Sequence, residues 1–191
     1  MTDLSTADAK ATLRSERRAA RSARRADADE SVRLSQQLGQ YCLDNRIRVA
    51  AAYLPLPGEP DISDFLDWAR EQSIILLLPT VAGQDLRWVE FDSATKIGEL
   101  KFVEAAGKQA DLKRAEVVFL PALAIDLNGN RLGKGKGFYD RALTHLAAAK
   151  SKAKQIAVIF DEELLLELPA ESHDKKVDAA VTASKFVWFK R

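Results

Sequence analysis

The stretch "AEVVFLPALAIDLNGNRLGKGKGFYDRAL", Ala115 to Leu143, runs from an apolar strand through a turn and a glycine-rich loop into a helix. "AEVVFLPALAID" has the continuous apolar character of a strand buried on both faces. "NGN" is a turn signal. In "RLGKGKGFYDR", Gly133, Gly135 and Gly137 remove side chains from every second position. Backbone of that kind can adopt positive φ and approach a ligand closely. The helix that follows, "FYDRALTHLAAAK", places Phe138, Tyr139, Ala142, Leu143 and Leu146 on its apolar side.

The same alternation extends outward. "RVAAAYLPL" reads as a buried strand ending in a Pro-rich turn, and "DISDFLDWAREQ" as an amphipathic helix with Ile62, Phe65, Leu66 and Ala69 at helical spacing. Asp61 or Ser63 can cap its start. "SIILLLPTV", "LRWVEFD", "QIAVIFD", "AAVTAS" and "FVWFK" read as strands. From about Ala9 to Leu43 the pattern is helical, with a break near "ADADES". Strands alternating with helices predict an α/β protein whose mainly parallel sheet is covered on both faces. With no repeat and no linker, residues 1–191 form one expected domain, and the mainly helical segment 1–43 packs on it. Ligands in such sheets sit at the carboxyl ends of strands. "PLPGEP", the glycine loop and the "FDEE" turn all fall there.

Composition narrows the function classes. The chain has 191 residues, 47% hydrophobic and 30% charged, which suits a soluble globular protein with a full core. A net charge of +1 gives no global field for nucleic acid, and none is expected as a partner. The longest apolar runs are too short to span a bilayer. Cys42 is the sole cysteine, so no internal disulfide forms, as suits a reducing compartment. The amino terminus lacks the apolar core of a secretory signal, and Asp3, Asp8 and Glu16 argue against a transit peptide. A cytoplasmic monomer is expected.

Lys134 and Lys136 add two charges to the glycine loop, and the helix start adds free N–H groups and a positive dipole end. Together these suit a polyphosphate. The spacing is neither that of a P-loop nor G-x-G-x-x-G. The plain alternative is a mobile turn with solvated lysines. Asp140 beside the loop would repel phosphate unless a cation, most simply Mg²⁺, lay between them. Its alternative role is to complement the helix dipole.

Four separated motifs resemble the 5-formyltetrahydrofolate cyclo-ligase family, in order and over nearly the whole chain: "KATLR" from Lys10 to Arg14, "YLPLPGEPD", "LPALAIDLNGNRLGKGKGFYDRAL" and "ESHDKKVDAAVT". The segment "ELKFVEAAG" departs from the family pattern, with Ala105 where proline is expected. The resemblance implies an α/β/α sandwich of the sugar-phosphate isomerase and CoA-transferase type. It implies ATP and 5-formyltetrahydrofolate as partners and Mg²⁺ as cofactor. Carried onto this chain, it assigns ATP to Lys10, Arg14, Arg131, Leu132, Gly133, Lys134, Gly135, Lys136, Gly137, Phe138 and Tyr139. It assigns the folate to Leu54, Glu59, Phe102 and Tyr139, and magnesium to Asp140 and Asp178. Lys136, nearest the helix start, is the expected catalytic lysine.

Other readings compete residue by residue. Glu59 alone reads as a solvated loop glutamate, Tyr139 as a core residue, and Trp68 and Trp88 as core rather than ligand platform. Asp178 can be a turn residue at a strand end, and His173 beside Asp174 reads as structural. Lys10, Arg14, Arg17 or Arg18, Arg21 and Arg25 form one basic helical stripe. Its plain reading is a solvated face, on which Arg21 would be a screened surface charge. Its sharper readings are closure of Lys10 and Arg14 over ATP, or a nucleic-acid contact. A folate- or RNA-binding protein without turnover, and a sugar-phosphate isomerase or CoA-transferase, are the competing functions. Neither needs the alternation of glycine and lysine next to Asp140.

Overall fold

The computed structural model describes residues 5–25, 27–171 and 174–190. Two helices, α1 (Thr6–Ala23) and α2 (Ala28–Asp44), precede strand β1 (Val49–Ala51). Helix α3 (Ser63–Glu71) leads into β2 (Ile75–Ala82) and β3 (Asp85–Glu90). A hairpin of β4 (Thr95–Ile97) and β5 (Val103–Ala105) comes before β6 (Gln109–Ala110) and β7 (Val117–Pro121). Then come β8 (Ala124–Asp126), β9 (Arg131–Leu132), α4 (Phe138–Ala148), β10 (Lys154–Val158), β11 (Leu164–Leu165), β12 (Ala179–Val181) and β13 (Phe186–Trp188).

The central sheet has eight strands in the order β13-β12-β10-β7-β1-β2-β3-β6. The run from β12 to β2 is parallel, and β13, β3 and β6, which flank it, pair antiparallel. Side chains alternate between two cores, as the strand period of two requires. Ala50, Leu76, Leu78, Val117, Phe119 and Ile156 face α2 and α3. Ala51, Leu77, Val118, Leu120 and Ala157 face α4. This is the expected α/β layering with a mainly parallel sheet. The helices sit where their apolar stripes dictate: Leu34 and Leu38 of α2 and Phe65 of α3 are fully buried. Gly39 lets α2 approach α3, since a Cβ there would stand 3.3 Å from the Trp68 ring. Trp68 and the buried Trp88 both belong to the cores.

The break expected near "ADADES" separates α1 from α2, and Asp27 accepts a hydrogen bond from Asp29 N at the start of the second helix. Two local expectations change. "AEVVFLPALAID" is not one strand. β7 ends at Pro121, and β8 leaves the sheet to pair with β9 and β11 in a separate three-stranded sheet. The cause is Asp126, whose fully buried carboxylate accepts N–H bonds from Asn128, Asn130 and Leu168 and from the Asn130 side chain. Such a carboxylate folds the "NGN" turn back on itself. The hairpin of β4 and β5 is an addition for which the sequence shows no strand signal. Among the described residues no helix is long and apolar enough to cross a membrane.

Candidate functional site

The carboxyl ends of β1, β2 and β7 open into a cavity of ≈ 620 Å³. Tyr53 and Leu54 line it from beyond β1, Pro79 and Val81 from β2, and Pro121 from β7. The glycine loop, α1 and the β4–β5 hairpin supply the remaining walls.

Each glycine of the loop has its own reason. Gly135 and Gly137 have φ of 98° and 69°, a region side chains disfavour. A Cβ on Gly133 would stand 2.8 Å from Arg131 Nη1, beneath the loop. Gly137 is also the residue before α4, and it has no side chain to cap that helix's first turn. The N–H groups of Phe138, Tyr139 and Asp140 therefore have no intrahelical acceptor and sit at the positive dipole end.

The charged groups are paired unequally. Lys134 Nζ lies 2.7 Å from Glu59 Oε1, and the Glu59 carboxylate also accepts a bond of 2.9 Å from Leu56 N. Lys136 has no ion-pair partner among the described residues; its ammonium lies 6.0 Å from the Phe138 ring. The Arg131 side chain is buried and donates to Asp140 Oδ1 at 2.5 Å, whereas its Nε has no hydrogen-bond partner among the described residues. Asp140 keeps 45% of its side chain exposed. Burial pushes the Tyr139 phenol far above its ordinary value, and the nearby Glu59 charge adds to this. Tyr139 is therefore a neutral hydroxyl. Tyr53 is held protonated in the same way and donates 2.9 Å to Pro60 O, which fixes the "PGEP" turn.

From α1, Lys10 reaches Glu171 and Asp174 at 2.6 Å each. Desolvation works to lower its pKa, but the hydrogen bonds to Asp174 and Glu171 outweigh that and hold it raised. Arg14 Nε donates to Gly133 O at 3.0 Å, and Arg18 Nη2 to Lys134 O at 2.8 Å. On the opposite wall Glu104 is 92% buried and accepts only a 3.2 Å bond from Val81 N, with no cation partner among the described residues. One side of the cavity thus offers cations and free N–H groups for an anion. The other offers two buried carboxylates, Glu59 and Glu104, for N–H donors.

The family model for the "5-formyltetrahydrofolate cyclo-ligase family" matches residues 5–183. The chain belongs to that family. It is 38% identical to a 5-formyltetrahydrofolate cyclo-ligase of Mycolicibacterium smegmatis over 149 residues, 72% of this chain and 75% of the relative. It is 32% identical to the Escherichia coli K12 enzyme of the same name over 147 residues, 72% and 79% of the two chains. The fold is similar to that of the Aquifex aeolicus 5,10-methenyltetrahydrofolate synthetase, with a TM-score of 0.81, 24% identity and coverage of 95% and 93%. A Mycoplasma pneumoniae 5,10-methenyltetrahydrofolate synthetase superposes with a TM-score of 0.76 at 18% identity, covering 91% of this chain and 98% of that one.

Against the family expectations, the cavity brings together Lys10, Arg14, Leu54, Glu59, Phe102, Arg131 to Tyr139 and Asp140. It does not bring Asp178. That residue precedes β12 at the amino end of the parallel strands and accepts a 2.8 Å bond from Gln155 N. Its carboxylate serves the backbone of β10 at the opposite end of the sheet from Asp140, so the two do not form a joint metal site. Among the described residues no group of three or more His, Cys, Asp or Glu side chains could hold a metal. Arg21 is also not the screened surface charge expected of a basic stripe. Its side chain is 6% exposed and paired with Glu163. The expectation for His173 lies outside the described residues. The stripe left Arg17 and Arg18 as alternatives, and the structure gives the loop contact to Arg18. Sequence reasoning missed Glu163 and left Glu104 without a role.

Proposed function

We propose that this family member converts 5-formyltetrahydrofolate to 5,10-methenyltetrahydrofolate, consuming ATP in the presence of Mg²⁺ and releasing ADP and phosphate. The observation that carries this reading is the Glu59–Lys134 pair at 2.7 Å. It joins a loop suited to polyphosphate to a loop suited to a pterin's N–H edge, inside one cavity.

The γ-phosphoryl group passes from ATP to the formyl oxygen. Its bond to the β-phosphate oxygen breaks and ADP leaves. The resulting iminium phosphate carries a leaving group that the formamide oxygen lacked. N10 attacks the former formyl carbon and loses its proton, and the C–O bond breaks to release phosphate. Such a transfer asks the protein for positioning and charge neutralisation. Gly133 to Gly137 and the N–H groups at the start of α4 hold the phosphates, with Lys134, Lys10, Arg14 and Arg131 adding charge. Lys136, without an ion-pair partner among the described residues, is the group able to follow the moving phosphoryl. Glu59 and Glu104 accept from the pterin, the neutral Tyr139 bonds or stacks on it, and Leu54 and Phe102 cover its apolar parts.

The residues fit a magnesium ion carried by the nucleotide. Asp140 offers one half-exposed carboxylate, and sites built on one or two carboxylates plus substrate phosphates are usual for this ion. Bound there, it would neutralise phosphate charge next to Asp140. Asp140 would then exchange its bond with Arg131 for the metal, leaving the guanidinium for a phosphate oxygen.

The Glu59–Lys134 pair also couples the two ligands. A phosphate that recruits Lys134 leaves Glu59 free for the pterin, and the reverse holds by linkage. All these groups come from one chain, so a monomer suffices, and the lone cysteine suits the cytoplasm. The test is near-ultraviolet absorbance of methenyltetrahydrofolate. Product is expected only when ATP, a divalent cation and 5-formyltetrahydrofolate are all present, with one ADP per product. ADP release at the same rate without the folate would overturn the reading in favour of a plain ATPase.

A further inference from the structure

The face of α1 turned to the body of the protein carries Arg14, Arg18 and Arg21 at steps of four and three, and all three donate across a long sequence gap. Arg14 and Arg18 take the carbonyls of Gly133 and Lys134. Arg21 Nε and Nη2 grip Glu163 at 2.6 and 2.8 Å, and Nη2 also donates to Ala122 O at 2.5 Å. Glu163 is itself fixed, because Oε2 accepts from Phe160 N at 3.0 Å. The Phe160 ring lies 5.3 Å from the Arg21 guanidinium and 3.8 Å from that of Arg24. Both members of the Arg21–Glu163 pair are nearly sealed from solvent, with side-chain exposures of 6% and 3%. A two-point, buried ion pair of this kind is directional and is screened little by salt.

We propose that Arg21 and Glu163 are positioning residues for the glycine–lysine loop: their pair anchors α1 so that Arg14 and Arg18 hold two loop carbonyls. In a trans peptide the carbonyl oxygen and the next residue's N–H point in opposite directions. Tying back the oxygens of Gly133 and Lys134 therefore turns the N–H groups of Lys134 and Gly135 away from α1. Loop glycines lose the most conformational freedom on ordering. A loop ordered before its ligand arrives spares that cost at binding. The anchor reaches the ends of two central strands at once, since Ala122 follows β7 and Glu163 lies in the turn after β10. This inference rests on the nucleotide reading of the loop only for the identity of the ligand.

The experiment uses the full chain with Arg21→Lys, Glu163→Gln and Arg18→Ala. The first keeps the charge but loses the fork, and the third removes an exposed side chain, which protects the test against simple misfolding. MgATP and, separately, 5-formyltetrahydrofolate are titrated by calorimetry, and hydrogen exchange is followed at residues 133–137 in ligand-free protein. All three variants are expected to weaken ATP by about five- to tenfold, the size of one ordinary hydrogen bond. They should leave folate affinity within about twofold and speed exchange in the loop. Arg33→Ala on α2, whose exposed partner is Asp27, should change none of these. A lower melting temperature with unchanged ATP affinity and unchanged loop exchange would make the pair merely structural and overturn the proposal. If the unsubstituted protein binds no ATP, the nucleotide reading fails, and the loop exchange still decides the anchor.

Discussion

Acidic residues at the two ends of the parallel strands do different work. At the amino ends they cap backbone. Glu116 accepts from Arg48 N and Val49 N where β1 begins, and Asp178 accepts from Gln155 N beside β10. At the carboxyl ends they meet cations from other elements: Glu59 with Lys134, Asp140 with Arg131, and Glu171 and Asp174 with Lys10. Glu116 and Asp178, bonded to the strand backbone outside the cavity, belong to stability. A carboxylate bonded to a lysine or arginine over a cavity can exchange that partner for a ligand.

The sharpest way to break this division is at the loop lysines. Lys136→Ala should lower kcat by about 10²–10³-fold, as when a group that stabilises transition-state charge is lost, with little change in KM for ATP. Lys134→Ala should mainly raise that KM, because it would hold the ATP phosphates equally in the ground state and the transition state. Steady-state kinetics of both, with circular dichroism as a folding check, settle the matter. Equal effects would reduce the loop to a basic turn.

Glu59→Gln comes next. Folate affinity should fall by roughly tenfold or more, from loss of a charge-assisted bond of about 1.5–3 kcal/mol. ATP affinity should rise severalfold, because Lys134 is released. If both affinities fell together, Glu59 would belong with Glu116 and Asp178 as a structural acid.

Asp140→Asn and Asp178→Asn test the two ends directly. The first should raise the Mg²⁺ concentration needed for half-maximal activity by about tenfold, with the melting temperature preserved. The second should leave metal dependence untouched and lower stability by roughly 1 kcal/mol, the scale of one weakened hydrogen bond. A reversed outcome would return Asp178 to the metal.

The smallest effect is expected at Cys42, buried in the core between α2 and the sheet, away from the cavity. Burial pushes its thiol up to about 12. At pH 8 its labelling should run roughly a thousandfold slower than that of an open thiol. The rate should be limited by unfolding rather than local exposure. Fast labelling would show that the α2 layer opens on its own.

The sheet was legible because its strands are short and apolar on both faces, so period and punctuation agreed. The loop was legible for a different reason: alternating glycines beside a helix start have few other uses. What escaped depends on pairing at a distance. Nothing around Arg21 reveals an acceptor 142 residues away, so its periodicity suggested a solvated face. "LPALAI" is uniformly apolar, and only the buried demands of Asp126 after it show where it departs from the sheet. Asp178 looked like a partner for Asp140 by residue type, and the direction of β12 separates them. The β4–β5 strands are three residues each with β4 fully exposed, too short for alternation to register.

The bare start of α4 has a thermodynamic consequence. Ser5 and Asp27 dress the first turns of α1 and α2, and Asp61 accepts from Ser63 N at α3. Gly137 provides nothing comparable. A polar cap residue contributes about 0.5–2 kcal/mol to a helix. The molecule therefore stands slightly below the stability its own fold permits, at the place where an incoming anion would complete it. Nucleotide should act as the missing cap. Amide exchange at residues 138–141 should slow on MgATP addition before any change reaches α2 or α3, and the unfolding temperature should climb with the logarithm of nucleotide concentration.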